Sequence, residues 1–545
     1  MVRPPFKIAI IGGGVSGLSM AYYLQKHWPA ERGELVITLF ERKRQLGGNA
    51  ETVLVSLGKL KSRAGHSEDY VRWADLGVND VNLSAYPRLR AVMEDIGYLH
   101  QLKPLQNTES YFSQDGRRVL TDDRDLCAGV SDPAYSLAEV DGGRLAALQA
   151  VVHRAALDLI DDERITPRYT VADFFEHCLS EPRRNLSRAA EEEGVNIDWE
   201  DAELPARLLR VRDEIYYPRI SAMYFADDRG PGVMPLQAPF EYYRVQEGGA
   251  SAPERRYFDK GAQYWLEVLA GFVTAGARPG PRVEILRDTP VEVHAMAGAV
   301  RVRERRDWRS GEEASAGQEW TFDLAVMATH ADDTQGLISF ADAFDDVERH
   351  LRGLLGRVRY TKSFAVCHTA AHCLPPNRNA WRTYNIPIRS PQDSLSPYRI
   401  DYVVNRHQND MLNPLYNHAG LPQYFVSLVD DLNRIPFDDM LDRCSSGILE
   451  GLQHFPADGM PEALKPQLDG AAGLSGYQHQ LGIDLAHHDL GRKAWTYFKH
   501  NVLDAQCMDA QQQMAQYNTD LLEAWRGQQA PRAADLGPRL LFAGG

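Results

Sequence analysis

The chain has 545 residues, 44% of them hydrophobic, and a formal net charge of -15. That length exceeds what a single core organises and predicts two or three domains, while the negative charge excludes the basic face that nonspecific nucleic-acid binding requires. Six sparse, irregularly spaced cysteines (Cys127, Cys178, Cys367, Cys373, Cys444 and Cys507) fit a reducing compartment rather than a disulfide framework, and no run approaches the ~20 apolar residues of a membrane span, so a soluble cytoplasmic protein with a small-molecule or acyl substrate is expected.

The first fifty residues organise the rest. The apolar run Ile8 to Ile11 predicts a buried parallel strand, and Leu18 to Leu24 an apolar helix. Between them the spacing Gly12-x-Gly14-x-x-Gly17 provides a tight turn at Gly12, a close approach for a pyrophosphate at Gly14 and tight helix–strand packing at Gly17. The helix start offers free N–H groups and a positive dipole end to that phosphate. A second strand, Leu35 to Phe40, ends at Glu41, whose carboxylate is placed to accept hydrogen bonds from a ribose. Glycine turns are common in ordinary loops; the strand before, the helix after and the acidic strand end together predict a dinucleotide site.

Further along, Glu51 to Tyr70 reads as an irregular polar loop, Tyr86 to Ile96 as a helix closed by Gly97, and 101–125 as a hairpin around Asn107 and Gly116. Helical spacing recurs over Leu145 to Leu159, Val171 to Leu179 and Pro205 to Ile215; the acidic run at Glu191 reads as a solvated helix face. Next is a dense aromatic stretch (Tyr216, Tyr217, Tyr224, Phe225, Phe240, Tyr242, Tyr243), readable either as plain core or as the wall of an apolar pocket. Val300 to Trp308 and Glu319 to Met327 read as strands, with the arginines from Arg301 to Arg309 on an exposed hairpin. Then come a helix over Phe340 to Leu355, strands at Tyr360 to Thr369, Tyr398 to Asn405 and Tyr424 to Val429, helices over 438–453 and Asp509 to Trp525, and a last strand, Leu540 to Phe542. Cys367-His368-x3-His372-Cys373 has the residue types of a metal site, but strand alternation sends Cys367 and His368 to opposite faces, so buried cysteine and loop histidines are expected and no metal. No nucleophile elbow, zinc-peptidase helix or Walker loop is present.

The residues after Glu41 separate flavin from nicotinamide. Glu41-x5-Gly47-Gly48 resembles the extended signature of the FAD-binding, flavin-containing amine oxidase superfamily. The likeness continues at Trp73-Ala-Asp-Leu-Gly-Val-Asn-Asp80, at the Tyr257 to Gly261 turn, at Leu286 to Val293, at Asp323-Leu-Ala-Val-Met-Ala-Thr329 and at Leu541-Phe-Ala-Gly-Gly545. Softer pieces (Val326 to Asp333, Val358 to His368, Tyr402 to Gln408, Tyr424 to Leu428, Trp495 to Asp504) are similar to bacterial FAD-dependent oxidoreductases of this type, some of them associated with modified fatty acids. The resemblance implies an α/β fold in which a Rossmann-like, glutathione-reductase-type FAD domain (1–100, 257–340 and 475–545) carries an inserted α+β substrate domain (101–256 and 341–474). It implies non-covalent FAD held by Gly12, Gly14, Val15, Ser16, Gly17, Glu41, Arg42, Gly47, Gly48, Asn49, Gly77, Val78, Asn79, Val291, Ala328, Thr329, Gly544 and Gly545, with Asp80, Trp495, Tyr497 and His500 on the substrate side.

Two positions depart from the pattern. Asn49 stands where many relatives have arginine; Lys43 reads as an exposed surface lysine, with a positive charge for the pyrophosphate as the alternative. The lysine that often holds a water near the flavin aligns with Ala365, and the nearest lysine, Lys362, is three residues away on the other strand face. In relatives the glycine turn at Gly544-Gly545 continues into a helix, so the resemblance implies a natural chain longer than 545 residues. The implied activity is removal of a hydride from an amine or from an unsaturated or acyl small molecule, with O2 or another acceptor taking the electrons. A flavin-dependent isomerase or desaturase of a fatty-acyl or polyketide chain, and a non-catalytic flavoprotein, are the alternatives. Catalytic side chains are not assigned, because the flavin carries the redox chemistry.

Overall fold

The computed structural model describes residues 4–61, 67–105, 109–113, 119–121, 140–226, 229–246, 254–276, 281–305, 316–388, 399–407, 423–444, 493–527 and 538–543. Its centre is a five-stranded parallel sheet in the order Arg282–Leu286, Leu35–Phe40, Phe6–Ile11, Leu324–Met327, Leu540–Phe542. The inner strands are continuous apolar runs because both faces are covered. On one side Ile8, Ile10, Leu35, Ile37 and Leu39 pack against the helices Val15–His27 and Ala262–Thr274 through Leu18, Trp265, Leu266 and Leu269. On the other, Ala9, Ile11, Phe40 and Met327 meet a four-stranded sheet (Ala316–Phe322, Ala299–Arg305, Val291–Met296, Ile338–Phe340) and the Asp345–Leu355 helix.

A seven-stranded mixed sheet forms the second layer system, in the order Trp495–Asn501, Tyr360–His368, Phe425–Val429, Ile400–Val403, Tyr384–Pro387, Glu109–Phe112, Val119–Thr121. The helices Arg144–Asp161, Val171–Ser180 and Pro182–Glu192 contribute with it to the largest core cluster, and the aromatic stretch enters that cluster through Tyr216, Phe240 and Tyr243. The expected α/β class is what the structure shows: a Rossmann-like parallel sheet with further mixed sheets.

Several sequence expectations change. Glu51 to Tyr70 is largely a hairpin, Thr52–Lys61 with Ser67–Asp75: Val53, Val55 and Leu57 alternate into the large core, and an irregularity between Ser56 and Lys59 masks the period. Leu102–Pro104 pairs with Arg255–Phe258 instead of joining the Glu109–Phe112 hairpin. The helix expected from Phe340 starts at Asp345, because Ile338–Phe340 is held as a parallel partner of Val293–Ala295. Of the helix expected over 438–453, only a single 3-10 turn, Phe437–Asp439, is present before 440–444, which are not helical; Arg443 bridges to Val55 and Asp442 to Lys493, while 445–453 lie outside the described residues. Pro205 to Ile215 is a short α-helix, Leu204–Arg210, running into a π-turn, Val211–Tyr216. Among the described residues no helix is long and apolar enough to cross a membrane.

Candidate dinucleotide site and the cluster beside it

The glycine turn leaves the Phe6–Ile11 strand between two neighbours. Gly12 has φ +114°, and a Cβ there would stand 2.5 Å from the Ala328 carbonyl oxygen; a Cβ on Gly17 would stand 1.9 Å from the carbonyl oxygen of Gly12. Only glycine lets helix and strand close this far. The Val15–His27 helix has Gly14 at its N-cap, no side-chain cap and no acid in its first turn, so its terminal amides and dipole are left for an external anion. Val15, apolar yet 41% exposed, stands at that opening.

Glu41 lies at the end of the second strand, as expected, but already bonded within the protein: Oε2 accepts from the Gly13 N–H at 2.7 Å and Oε1 from the Lys43 N–H at 2.8 Å. A carboxylate has about four acceptor positions, so two remain for a ribose. The Thr289 N–H donates to the Glu41 carbonyl and the Asp288 N–H to that of Lys43, which brings the Leu286 to Val291 segment alongside; the Val291 side chain itself is core. Arg42 is exposed and reaches Asp333 at 3.8 Å.

A second turn faces the first. The Gly47 N–H donates to the Gly13 carbonyl, and a Cβ on Gly14 would lie 3.7 Å from the Gly48 Cα. Gly77 presses on Asn49, where a Cβ would come within 1.8 Å of the Asn49 carbonyl oxygen. Gly12, Gly14, Val15, Ser16, Gly48, Asn49, Gly77, Val78, Asn79, Ala328 and Thr329 remain accessible, whereas Gly13, Gly17, Gly47, Leu76 and Met327 behind them are buried. The accessible members of the expected set thus lie along these two turns, while Gly17, Gly47 and the Val291 side chain are buried behind them. Gly544 and Gly545 lie outside the described residues; Ala543, just before them, donates to the Met327 carbonyl at 2.8 Å.

Behind these turns is a buried polar network that sequence reading missed. Asp75 Oδ1 accepts from the Thr52 hydroxyl (2.5 Å) and from the Ala262 N–H (2.8 Å), and Gln263 bonds the Thr52 N–H and the Leu46 carbonyl. Asp75 Oδ2 is buried without a partner, and burial pushes this carboxyl from 3.8 up to about 8, against the Thr52 and Ala262 hydrogen bonds. A raised acid favours the folded state while both states are protonated, and that advantage is lost as pH climbs through the folded value. Asp75→Asn keeps the Oδ1 acceptor and cannot ionise. Its melting temperature relative to the parent is therefore expected to rise between pH 4 and 8 and level off above; a difference independent of pH would refute the assignment.

Asn79 leads to Asp80, which is not isolated. Its Oδ1 accepts from Arg255 Nη1 at 3.0 Å and its Oδ2 from the Tyr384 hydroxyl, while the Tyr402 hydroxyl bonds Asn79 and the Tyr242 hydroxyl bonds Arg255. Burial raises the Asp80 carboxyl and Arg255 opposes the rise; burial also raises the Tyr242 hydroxyl to about 12. The other three predicted substrate-side residues sit elsewhere. Trp495 is core, packed with Phe364 and Val366; Tyr497 stacks at the edge of that core; His500 packs on Phe225 with ring centroids 4.7 Å apart, and burial lowers its pKa. Ala365 is core and pairs with Thr496; the side chain of Lys362 lies outside the described set. The Lys43 charge acts on Glu51, whose carboxyl it helps to lower.

Cys367 and His368 do fall on opposite faces, Cys367 in the large core and His368 against Ser427. The ligand atoms of His368, Cys373 and Asp401 lie within 4.8 Å of one another. They are already engaged, however. The Ala370 N–H donates to His368 Nδ1, so Nε2 carries the proton and donates to Ser427 at 2.7 Å; Ser427 donates to Asp401, whose other oxygen holds Arg399 at 2.8 Å. A guanidinium inside the cluster supplies the positive charge a metal would bring, and the donor set reads as a satisfied polar core.

The covered parallel sheet, the uncapped glycine turn and the acidic end of the second strand define a Rossmann-like domain of the dinucleotide-binding type. Residues 10–96 match the family model described as the NAD(P)-binding Rossmann-like domain. No curated protein matches the chain. Among solved structures, the chain is similar to a proposed protoporphyrinogen oxidase from Exiguobacterium sp. 255-15 (15% identity, TM-score 0.47, covering 99% of this chain and 94% of that one). It is similar also to a CLA-producing fatty acid isomerase from P. acnes (12%, 0.46, covering 99% and 93%) and to a reduced UDP-galactopyranose mutase (12%, 0.41, covering 78% and 74%).

Proposed function

We propose that the protein is an FAD-dependent oxidoreductase that removes a hydride from an amine or from an unsaturated or acyl small molecule. The observation that carries this reading is the pair of facing glycine turns. A nicotinamide site needs the first; here accessible residues continue past Gly48 and Asn49 to Gly77, Val78 and Asn79, which suits a longer, flavin-bearing dinucleotide. Bound FAD would supply the hydride acceptor. The chain's own residues would do the rest: the amides of Val15, Ser16 and Gly17 and the helix dipole hold the diphosphate, the two remaining acceptor positions of Glu41 hold a ribose, and the Leu286 to Val291 segment borders the adenine end. Ala328 and Thr329 close the opposite side. Residues 1–100, 257–340 and 475–545 would form the FAD-binding part, and 101–256 with 341–474 the part that shapes the substrate pocket and keeps water out.

The test is reconstitution of the full chain with FAD, followed by visible spectroscopy and an anaerobic bleaching screen against amines, fatty acids and NAD(P)H. Glu41→Ala is expected to weaken FAD binding by about ten- to a hundredfold, the value of hydrogen bonds to a charged acceptor. A protein that takes up no flavin, or that binds nicotinamide dinucleotide in its place, sinks the proposal. A redox-neutral double-bond shift is a second reading, favoured by core-buried Ala365 at the position where the resemblance would put the lysine; substrate turnover without peroxide or reduced acceptor would select it.

A further inference from the structure

Around Asp80 the protein has buried four charges and cancelled them in pairs. Asp80 meets Arg255 at 3.0 Å, and Glu109 meets Arg219 at 3.4 Å, each of the four side chains being 11–12% exposed. The two pairs belong to one neighbourhood, since Arg255 feels the charge of Glu109 as well as that of Asp80. Tyrosine hydroxyls complete it: Tyr384 donates to Asp80, Tyr111 donates to Glu109 at 2.5 Å, and the Tyr243 ring covers the Arg219 guanidinium at 4.7 Å. Arg255 Nε and the Tyr243 hydroxyl are both buried without a hydrogen-bond partner. Buried N–H and O–H donors are costly when unmet, and Arg255 Nε next to Asp80, with the Tyr243 hydroxyl on the ring that covers Arg219, marks a neighbourhood where an acceptor is expected.

Resting on the flavin reading, the geometry points to a substrate whose group nearest the cofactor turn is an uncharged oxygen acceptor, such as a carbonyl, amide or hydroxyl, received by Arg255 Nε–H and the Tyr243 hydroxyl. An ammonium group would be desolvated against two guanidinium groups whose carboxylates are already engaged. A carboxylate would be desolvated against Asp80 and Glu109, with both arginines already paired. In neither case does the site hold a spare counter-charge to offset the desolvation, whereas a neutral oxygen needs none. Of the substrates in the proposed function, this favours the acyl or oxygenated kind over the amine. Asp80 is a positioning residue here: it holds Arg255 so that one N–H faces the site and the net charge stays zero.

The experiment uses the full chain loaded with FAD and three probes with one ring and one substituent: benzamide, benzylamine and benzoate. Dissociation constants are read from perturbation of the bound flavin's visible spectrum. Benzamide is expected to bind at least about tenfold more tightly than either charged probe. Asp80→Asn, which leaves the Arg255 charge unpaired, is expected to move the order toward benzoate by about tenfold, and Tyr243→Phe to weaken benzamide alone. A parent protein that prefers benzylamine or benzoate, or that responds to none of the three, overturns the inference. If Asp80→Asn does not fold, the parent's order and Tyr243→Phe still decide. Failure to load FAD at all counts instead against the flavin reading, so the two outcomes are distinguishable.

Discussion

Glu51→Ala is expected to destabilise the protein by about 3–5 kcal/mol, the usual consequence of removing one partner of a buried ion pair. Glu51 comes three residues after the second glycine turn, and its side chain is 9% exposed against 8% for Arg443. Its Oε1 accepts from Arg443 Nη2 at 3.1 Å and its Oε2 from the Thr496 hydroxyl at 2.7 Å; Arg443 also donates to the carbonyls of Lys493 and Trp495. Truncation leaves a guanidinium in the interior with only neutral partners. Burial alone would raise the Glu51 carboxyl, yet Arg443, Lys43 and Thr496 bring it below its ordinary 4.5. The stability it contributes is therefore present above pH 4.5 and lost as pH falls through the lower folded value. Urea unfolding of Glu51→Ala and of Glu51→Leu with Arg443→Met measures this directly. The double variant, which buries no charge, should regain most of the loss, and equal losses in both would contradict the ion-pair account. Because the pair joins the Gly47-Gly48 turn to the Trp495–Asn501 strand, Glu51→Ala should also weaken flavin uptake.

Gly17→Ala is expected to cost about 3 kcal/mol or more and to abolish flavin uptake in the protein that still folds. The new methyl carbon would stand 1.9 Å from the Gly12 carbonyl oxygen and 3.3 Å from Ile10 Cγ2, and the first of these is backbone, which cannot swing aside. Relief requires moving the helix from the strand, which opens the phosphate turn between them. Gly271→Ala is the matched control: it lies in the Ala262–Thr274 helix with open space where its Cβ would go, and the substitution should raise stability by about 0.5–1 kcal/mol. Thermal melts and FAD titration of both variants check the pair, and a Gly17→Ala protein that binds FAD like the parent would remove the close-packing account of the turn.

Much of the nucleotide-binding part was legible in the sequence because its determinants are local. Ile8 to Ile11 and Leu35 to Phe40 are short apolar runs that can only be satisfied inside a covered parallel sheet, and the Gly12, Gly14 and Gly17 spacing carries its own backbone geometry. The Thr52–Lys61 strand was missed where an irregular register broke its alternation, and the Trp495 ring, expected on the substrate side, packs with Phe364 and Val366 in a core cluster, since an aromatic side chain carries no mark of which surface it will fill.

By itself, then, the sequence determined the α/β class, the turn at Gly12 to Gly17 and the position of Glu41. Only the tertiary structure decided which polar groups share an interior: Asp80 with Tyr384, 304 residues away; Glu51 with Arg443, 392 away; Thr52 with both Asp75 and Gln263. The physical reason is that an apolar run or a glycine spacing acts on its own neighbours. A buried charge, by contrast, is tolerated only by a partner the fold must bring from afar, and periodicity holds no record of that partner.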